Sequence, residues 1–185
     1  MENKVGAVLD GSLQFTDERG YPFQFKQLFP GERPVILVLG YYTCPDMCGQ
    51  VIHGMLDALN DIDLVPGKDY QIVNVSIDPK ETAEVAKQRK EHFLPLLHQV
   101  GGPEGWRFLV GEPEPVRALA TSTGFRYFWS EHTNRYDHPG ALMFVTPQGQ
   151  LNRVITGMSF EPEAVRLAIL ESGKGENASF LDKIK

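Results

Sequence analysis

The two cysteines of this chain lie in one pentapeptide, Cys44-Pro45-Asp46-Met47-Cys48. Side chains four residues apart share one face of a helix, so one helical turn here would bring both sulfur atoms together. Two neighbouring thiols either bind one metal ion or oxidise to a disulfide. The three-residue gap between them is wider than the two-residue gap of the usual redox motif, and it suits a linear or trigonal site for a soft metal.

The segments on either side of the cysteines predict a junction between a strand and a helix. Residues 35–42 form a continuous apolar run typical of a buried central strand, and apolar residues recur at helical spacing over residues 48–64. Unpaired N–H groups at a helix N-terminus stabilise a thiolate, so we expect Cys44 to ionise readily. The alternatives are two ordinary buried cysteines or structural zinc, and zinc is disfavoured because such a site uses about four strong ligands.

His138 is the candidate third ligand. It lies in Asp137-His138-Pro139-Gly140, directly before a predicted apolar strand at residues 141–146. Thiolates suit copper(I) and imidazole suits copper(II), so Cys44, Cys48 and His138 together would hold one copper ion in either oxidation state. Asp137 is a candidate for fixing the orientation of the imidazole ring.

Other polar residues are assigned less specific roles. We interpret His53 and His132 as solvated side chains, although His53 lies close to Cys48 in sequence. His92 and His98 fall on the second predicted helix and are interpreted as surface residues. Asp78 ends a predicted strand near the same edge of the sheet, and the Asp-Pro pair is typical of a turn.

The order of predicted elements places the cysteines and His138 at one edge of a mixed sheet. After an N-terminal hairpin, strands alternate with helices in the first part of the chain, and a strand hairpin and a last helix follow. The predicted strands cover residues 13–15, 22–25, 35–42, 70–77, 106–110, 141–146 and 151–156, and the helices cover residues 48–64, 82–98, 113–122 and 161–170. An extended aromatic segment at residues 124–129 and a polar loop at residues 130–137 complete the chain. This layout predicts a thioredoxin-like α/β fold, a three-layer α/β/α sandwich with a central mixed sheet.

Length and composition indicate a single domain at residues 1–185, with its core at about residues 11–171 and a tail at residues 172–185. With 18 basic and 24 acidic residues, the net charge is −6, which disfavours binding to nucleic acid. No apolar run reaches the roughly 20 residues of a membrane helix, and no signal peptide is apparent. We expect a monomer without a membrane span or an N-terminal anchor in this chain.

The combined motifs resemble the Sco/SenC family. The matching residues are the string from Gly40 to Cys48, the string from Val75 to Pro79, and the pair Asp137-His138, in an order and spacing that agree over about residues 11–170. The resemblance implies that Cys44, Cys48 and His138 bind copper.

The resemblance also implies a role and a location. Family members deliver copper to the binuclear copper centre of cytochrome c oxidase, or reduce its cysteines, so the expected partner is the copper-site subunit of the oxidase or another copper chaperone. The expected location is the periplasmic, extracytoplasmic face of an inner membrane, where family members usually carry an N-terminal anchor.

Two positions depart from the family pattern. Gly49 stands where the family commonly has proline, and Pro139 stands where it commonly has serine. Thioredoxin-like folds often hold a cis-proline at such a position, which predicts a cis bond between His138 and Pro139. We also expect the loop at residues 130–137 to be mobile without copper and to close when His138 binds it.

The alternative function is that of a thiol–disulfide oxidoreductase. In this role Cys44 attacks a disulfide of the partner and Cys48 resolves the mixed disulfide, so both would be catalytic and no histidine would be needed. A peroxidase is disfavoured because Tyr41 occupies the place where such enzymes have threonine, three residues before the reactive cysteine.

Overall fold

The computed structural model describes residues 1–44 and 47–175, and the side chains of Met47 and Cys48 lie outside the description. The strands are β1 Gln14–Thr16, β2 Pro22–Gln24, β3 Val35–Gly40, β4 Gln71–Ser76, β5 Trp106–Leu109, β6 Phe128–Ser130, β7 Arg135–Asp137, β8 Ala141–Val145 and β9 Leu151–Thr156. The helices are α1 Met47–Leu59, α2 Ala83–Phe93, α3 Pro113–Thr123 and α4 Pro162–Lys174. None of the described helices has the length and apolar character needed to cross a bilayer.

A five-stranded sheet in the order β5-β4-β3-β8-β9 forms the centre of the fold. Strands β3, β4 and β5 are parallel to one another, whereas β8 is antiparallel to both β3 and β9. Helices α1, α2 and α4 pack on the face that carries Ile36 and Val38 of β3, and α3 with the β1–β2 hairpin packs on the face that carries Val35, Leu37 and Leu39. The predicted thioredoxin-like architecture with its mixed sheet and N-terminal hairpin is confirmed.

Helices α1 and α2 end earlier than their apolar spacing predicted. Helix α1 ends at Leu59, because the side chain of Asn60 donates to the Leu96 carbonyl and accepts from the His98 N–H, each at 2.9 Å. Helix α2 begins after Thr82, whose hydroxyl accepts from the Val85 N–H as an N-cap, and it ends before Pro95.

The last helix, α4, extends beyond its predicted end at residue 170. It continues to Lys174 and stops at Gly175, which adopts a left-handed conformation with φ of 70°. The first residues of the predicted tail at 172–185 are therefore helical, and residues 176–185 lie outside the described part of the chain.

The sequence predicted a polar loop at residues 130–137, but this segment contains a strand, so the prediction is corrected. Strand β7 pairs antiparallel with β6, and Trp129 lies opposite Tyr136 with their ring centroids 5.0 Å apart. Asn134 has a φ of 51° in the turn between the strands, a conformation that asparagine tolerates. Aromatic cross-strand pairing stabilises a segment whose polar composition suggested a loop.

Two glycines of α1 provide a test of how closely this helix packs. A Cβ added at Gly54 would overlap the backbone carbonyl of Met158, whereas at Gly49 none of the described atoms lies within 4 Å. We expect Gly54→Ala to lower the free energy of unfolding by about 1–3 kcal/mol, the usual cost of overpacking. Gly49→Ala is the control and should be neutral or gain up to about 1 kcal/mol, because alanine favours helix. Chemical denaturation measures both changes, and equal effects would contradict the close approach.

Candidate metal site

The fold brings Cys44 and His138 to one pocket. Cys44 follows the C-terminal end of β3, and His138 precedes the N-terminal end of β8, the antiparallel neighbour of β3. Both side chains line a pocket of about 50 Å³ at the head of α1, together with Gly49 and Phe93. Two of the three predicted ligands therefore share one pocket.

Cys44 ends a tight turn that we call the cysteine turn, residues 41–44. The Cys44 N–H points back to the carbonyl oxygen of Tyr41, at an N···O distance of 3.4 Å. The side chain of Cys44 is half-buried, at the margin of the apolar cluster that includes Tyr41. Cys44 therefore keeps part of its surface in contact with solvent.

Cys48 is the second residue of α1, so the helix begins within the cysteine motif, as predicted. The side chain of Cys48 lies outside the described residues, as do Pro45 and Asp46. Among the side chains that are described, no group of three or more His, Cys, Asp and Glu could hold a metal ion. Cys48 as the third ligand therefore stays a prediction.

The imidazole of His138 is half-buried between two aromatic rings. Its centroid lies 5.9 Å from that of Tyr41 and 5.7 Å from that of Phe125. Burial lowers the pKa of His138, against the smaller opposing effects of the Pro139 carbonyl and the Asp137 carboxylate. The ring therefore favours its neutral form, which is the form that binds a metal ion.

The nitrogen Nδ1 of His138 lies 2.9 Å from the carbonyl oxygen of Pro139. A carbonyl only accepts hydrogen bonds, so this contact favours the tautomer with the proton on Nδ1, in which Nε2 carries the lone pair that a metal ion needs. The sequence suggested Asp137 as the group that fixes this ring, but the Nδ1 partner is the Pro139 carbonyl. The donor set fits a soft or borderline metal ion: a half-exposed thiol and a neutral imidazole beside an apolar, aromatic wall.

The predicted cis bond between His138 and Pro139 is wrong. The cis peptide bond among the described residues joins Phe29 and Pro30. The trans form is the lower in energy for an X-Pro bond, and here it accompanies the contact between Nδ1 and the Pro139 carbonyl.

The other histidines do not line the pocket that holds Cys44 and His138. The rings of His53 and His92 pack on Phe93, with centroid distances of 5.6 and 4.8 Å, and His132 is exposed in the turn between β6 and β7. Asp78 forms a turn after β4, in which its Oδ1 accepts from the Lys80 N–H at 2.9 Å.

Sequence reasoning missed Glu81, which contacts the cysteine turn directly. Its carboxylate accepts from the backbone N–H groups of Tyr42 and Thr43, each at 2.7 Å, and from the hydroxyl of Ser76 at 2.5 Å. The signal in the sequence was an acidic residue three positions after Asp78, close to the end of a predicted strand. N–H groups in a turn at a strand end need acceptors, and such a residue can supply them.

The comparisons with known proteins agree on one family. The family model described as SCO1/SenC matches residues 2–171. The chain is 26% identical over 117 residues to "Protein SCO1 homolog 1, mitochondrial" of Arabidopsis thaliana and 25% identical over 142 residues to a "Putative copper-binding protein" of Stutzerimonas stutzeri. These matches cover 61% and 75% of this chain, but they span 32% and 65% of the lengths of the two relatives.

Solved structures show the same fold. A "putative electron transfer protein" from Aquifex aeolicus VF5 superposes with a TM-score of 0.81 at 24% identity, covering 94% of this chain and 96% of that one. Arabidopsis thaliana ScoI with copper bound superposes with a TM-score of 0.71 at 19% identity, covering 92% and 99% of the two chains. At these identities the likeness concerns the fold alone.

The contact between His138 and Pro139 predicts the tautomer of the imidazole. In metal-free protein at neutral pH we expect the proton on Nδ1, because the Pro139 carbonyl accepts from it. Long-range proton–nitrogen NMR distinguishes the two tautomers, and the exposed His132 serves as an internal reference. A proton found on Nε2 of His138 would contradict this orientation of the ring.

Proposed function

The chain belongs to the SCO1/SenC family, and from this premise we propose that it is a copper-binding metallochaperone. In this proposal Cys44, Cys48 and His138 hold one copper ion. The observation that carries the proposal is the shared pocket of Cys44 and His138 at the head of α1, the helix on which Cys48 lies. The relative named as a copper-binding protein and the copper-bound fold neighbour support the choice of metal.

The arrangement suits transfer of a metal ion more than permanent storage. Thiolates and a neutral imidazole accept both copper(I) and copper(II), so the change in oxidation state does not require a new set of ligands. Cys44 is half-buried and keeps part of its surface exposed, and in this proposal an incoming ligand attacks there before the old one leaves. Copper would then move by ligand exchange, with His138 as the one ligand that is not a thiol.

The recipient in this proposal is the copper-site subunit of cytochrome c oxidase or another copper chaperone. Transfer would take place on the extracytoplasmic, periplasmic side of the inner membrane. The support is the family and the named mitochondrial SCO1 homolog, which shares 26% identity with this chain.

The second candidate function is thiol–disulfide exchange by the same cysteines. One observation favours it: Cys44, which is half-buried, lies three residues before the first residue of α1. The positive end of a helix stabilises a thiolate that lies close to it. Such an activity needs both sulfurs and no imidazole. His138 therefore separates the two functions.

A copper titration of reduced protein tests the proposal. We expect one copper ion per chain in the wild type, and a loss of affinity of about tenfold or more, equivalent to about 1.4 kcal/mol, in His138→Ala. Cys44→Ser should weaken the sulfur-to-copper charge-transfer bands of the copper(II) form, because only the sulfur of Cys48 would then remain as a thiolate ligand. His132→Ala is the matched control, because this histidine is exposed and lies outside the pocket.

Two results would contradict the metallochaperone. The first is unchanged copper affinity and unchanged charge-transfer bands in His138→Ala. The second is efficient turnover of a disulfide substrate by metal-free wild type and by His138→Ala alike, which would favour the oxidoreductase.

A further inference from the structure

The cysteine turn, residues 41–44, is capped by a carboxylate from another element of the fold. Its two central residues, Tyr42 and Thr43, direct their backbone N–H groups to the two different oxygens of Glu81, each at 2.7 Å. The bond within the turn, from the Cys44 N–H to the Tyr41 carbonyl, is longer at 3.4 Å. Hydrogen bonds to an ionised acceptor are about twice as strong as neutral ones, so the two bonds to the carboxylate constrain this backbone more than the bond within the turn does.

Glu81 is itself held in place. Glu81 is 8% exposed. Its backbone N–H donates to the Asp78 carbonyl at 3.1 Å, and its Oε1 accepts from the Ser76 hydroxyl at 2.5 Å. Ser76 is the last residue of β4 and lies opposite Gly40, the last residue of β3. One carboxylate thus connects the ends of two central strands to the backbone that leads into Cys44.

We propose that Glu81 is the positioning residue of this site: by capping the cysteine turn it presents the sulfur of Cys44 in one orientation and slows the release of copper. This inference rests on the metallochaperone proposed above. Glu81 acts through the backbone of Tyr42 and Thr43. It is neither a proposed ligand nor a reacting group.

A second buried carboxylate offers a matched control. Glu18 is 5% exposed and accepts from the Phe108 N–H at 3.1 Å and from Nζ of Lys90 at 2.6 Å. Burial raises the pKa of the Tyr42 hydroxyl, and both Glu81 and Glu18 raise it further. The two carboxylates therefore both influence the Tyr42 hydroxyl, but only Glu81 is seen to contact the cysteine turn.

The variants are Glu81→Gln, Glu18→Gln and Ser76→Ala. A glutamine at position 81 keeps the volume but places an amide NH₂ where one oxygen was, so at least one N–H of the turn loses its acceptor. Ser76→Ala leaves both N–H bonds to the carboxylate in place and removes the hydroxyl, which donates to Glu81 and accepts from the Asp78 N–H at 3.1 Å. It keeps the test open if Glu81→Gln does not fold.

The first measurement is the rate at which copper(I) passes from each loaded protein to a copper(I)-specific chelator. We expect Glu81→Gln to release copper roughly tenfold or more faster than wild type, as is usual when a residue that orients a ligand is lost. Ser76→Ala should show a smaller increase in the same direction. The rate of copper release from Glu18→Gln should stay within about twofold of the wild-type rate, even if its melting temperature falls as much as that of Glu81→Gln.

The second measurement needs no metal. In Glu81→Gln the reduction potential of the Cys44–Cys48 couple should rise by about 30 mV, which corresponds to a tenfold change in the equilibrium constant of this two-electron couple. The direction follows because removing a nearby negative charge favours the thiolate of the reduced form. Amide hydrogen exchange at Tyr42 and Thr43 should also accelerate in Glu81→Gln and not in Glu18→Gln.

If Glu81→Gln and Glu18→Gln show the same rate of copper release and the same reduction potential, the proposed role of Glu81 is wrong. If the wild type binds no copper, the metallochaperone proposal is contradicted instead. The reduction potential and the amide hydrogen exchange rates would then test by themselves whether Glu81 positions Cys44.

Discussion

The antiparallel pairing of β8 with β3 is the constraint on which the site depends. In this register Val35 lies opposite Val145 and Leu37 opposite Met143, so the strands run past each other from opposite ends. The end of β3, which leads to Cys44, therefore meets the beginning of β8, which His138 precedes. A parallel β8 would place His138 at the far edge of the sheet, away from both cysteines.

The parallel neighbour β4 adds the third part of the same edge. Because β4 runs in the direction of β3, its last residue, Ser76, is level with Gly40, and the chain then turns to bring Glu81 under the backbone of Tyr42 and Thr43. On the buried side the Tyr42 hydroxyl donates to the Leu109 carbonyl at 2.8 Å. Tyr42 is thus fixed at both its backbone and its side chain, while Cys44 keeps part of its surface exposed.

Much of this arrangement follows from the sequence, because it rests on patterns that are local in the chain. The apolar run before the cysteines, the helical spacing after them and the motif around His138 predicted the mixed sheet and the shared edge. Features that depend on contacts between distant segments were not predictable in this way. The capping of the cysteine turn by Glu81 spans 38 and 39 positions of the chain, and β7 is stabilised by a ring pair between Trp129 and Tyr136 that no local polarity pattern reveals. The trans His138–Pro139 bond was missed because the cis-proline common in thioredoxin-like folds was carried over to this position. In this turn Nδ1 of His138 contacts the Pro139 carbonyl.

X-ray absorption spectroscopy of the protein loaded with one equivalent of copper tests the central claim most directly, because it observes the atoms bonded to the metal. The account predicts sulfur neighbours from Cys44 and Cys48 together with the ring scattering of one imidazole, and it predicts that the imidazole signal disappears in His138→Ala. A wild-type spectrum without imidazole scattering, or one in which that scattering persists in His138→Ala, would contradict a site built from these three side chains.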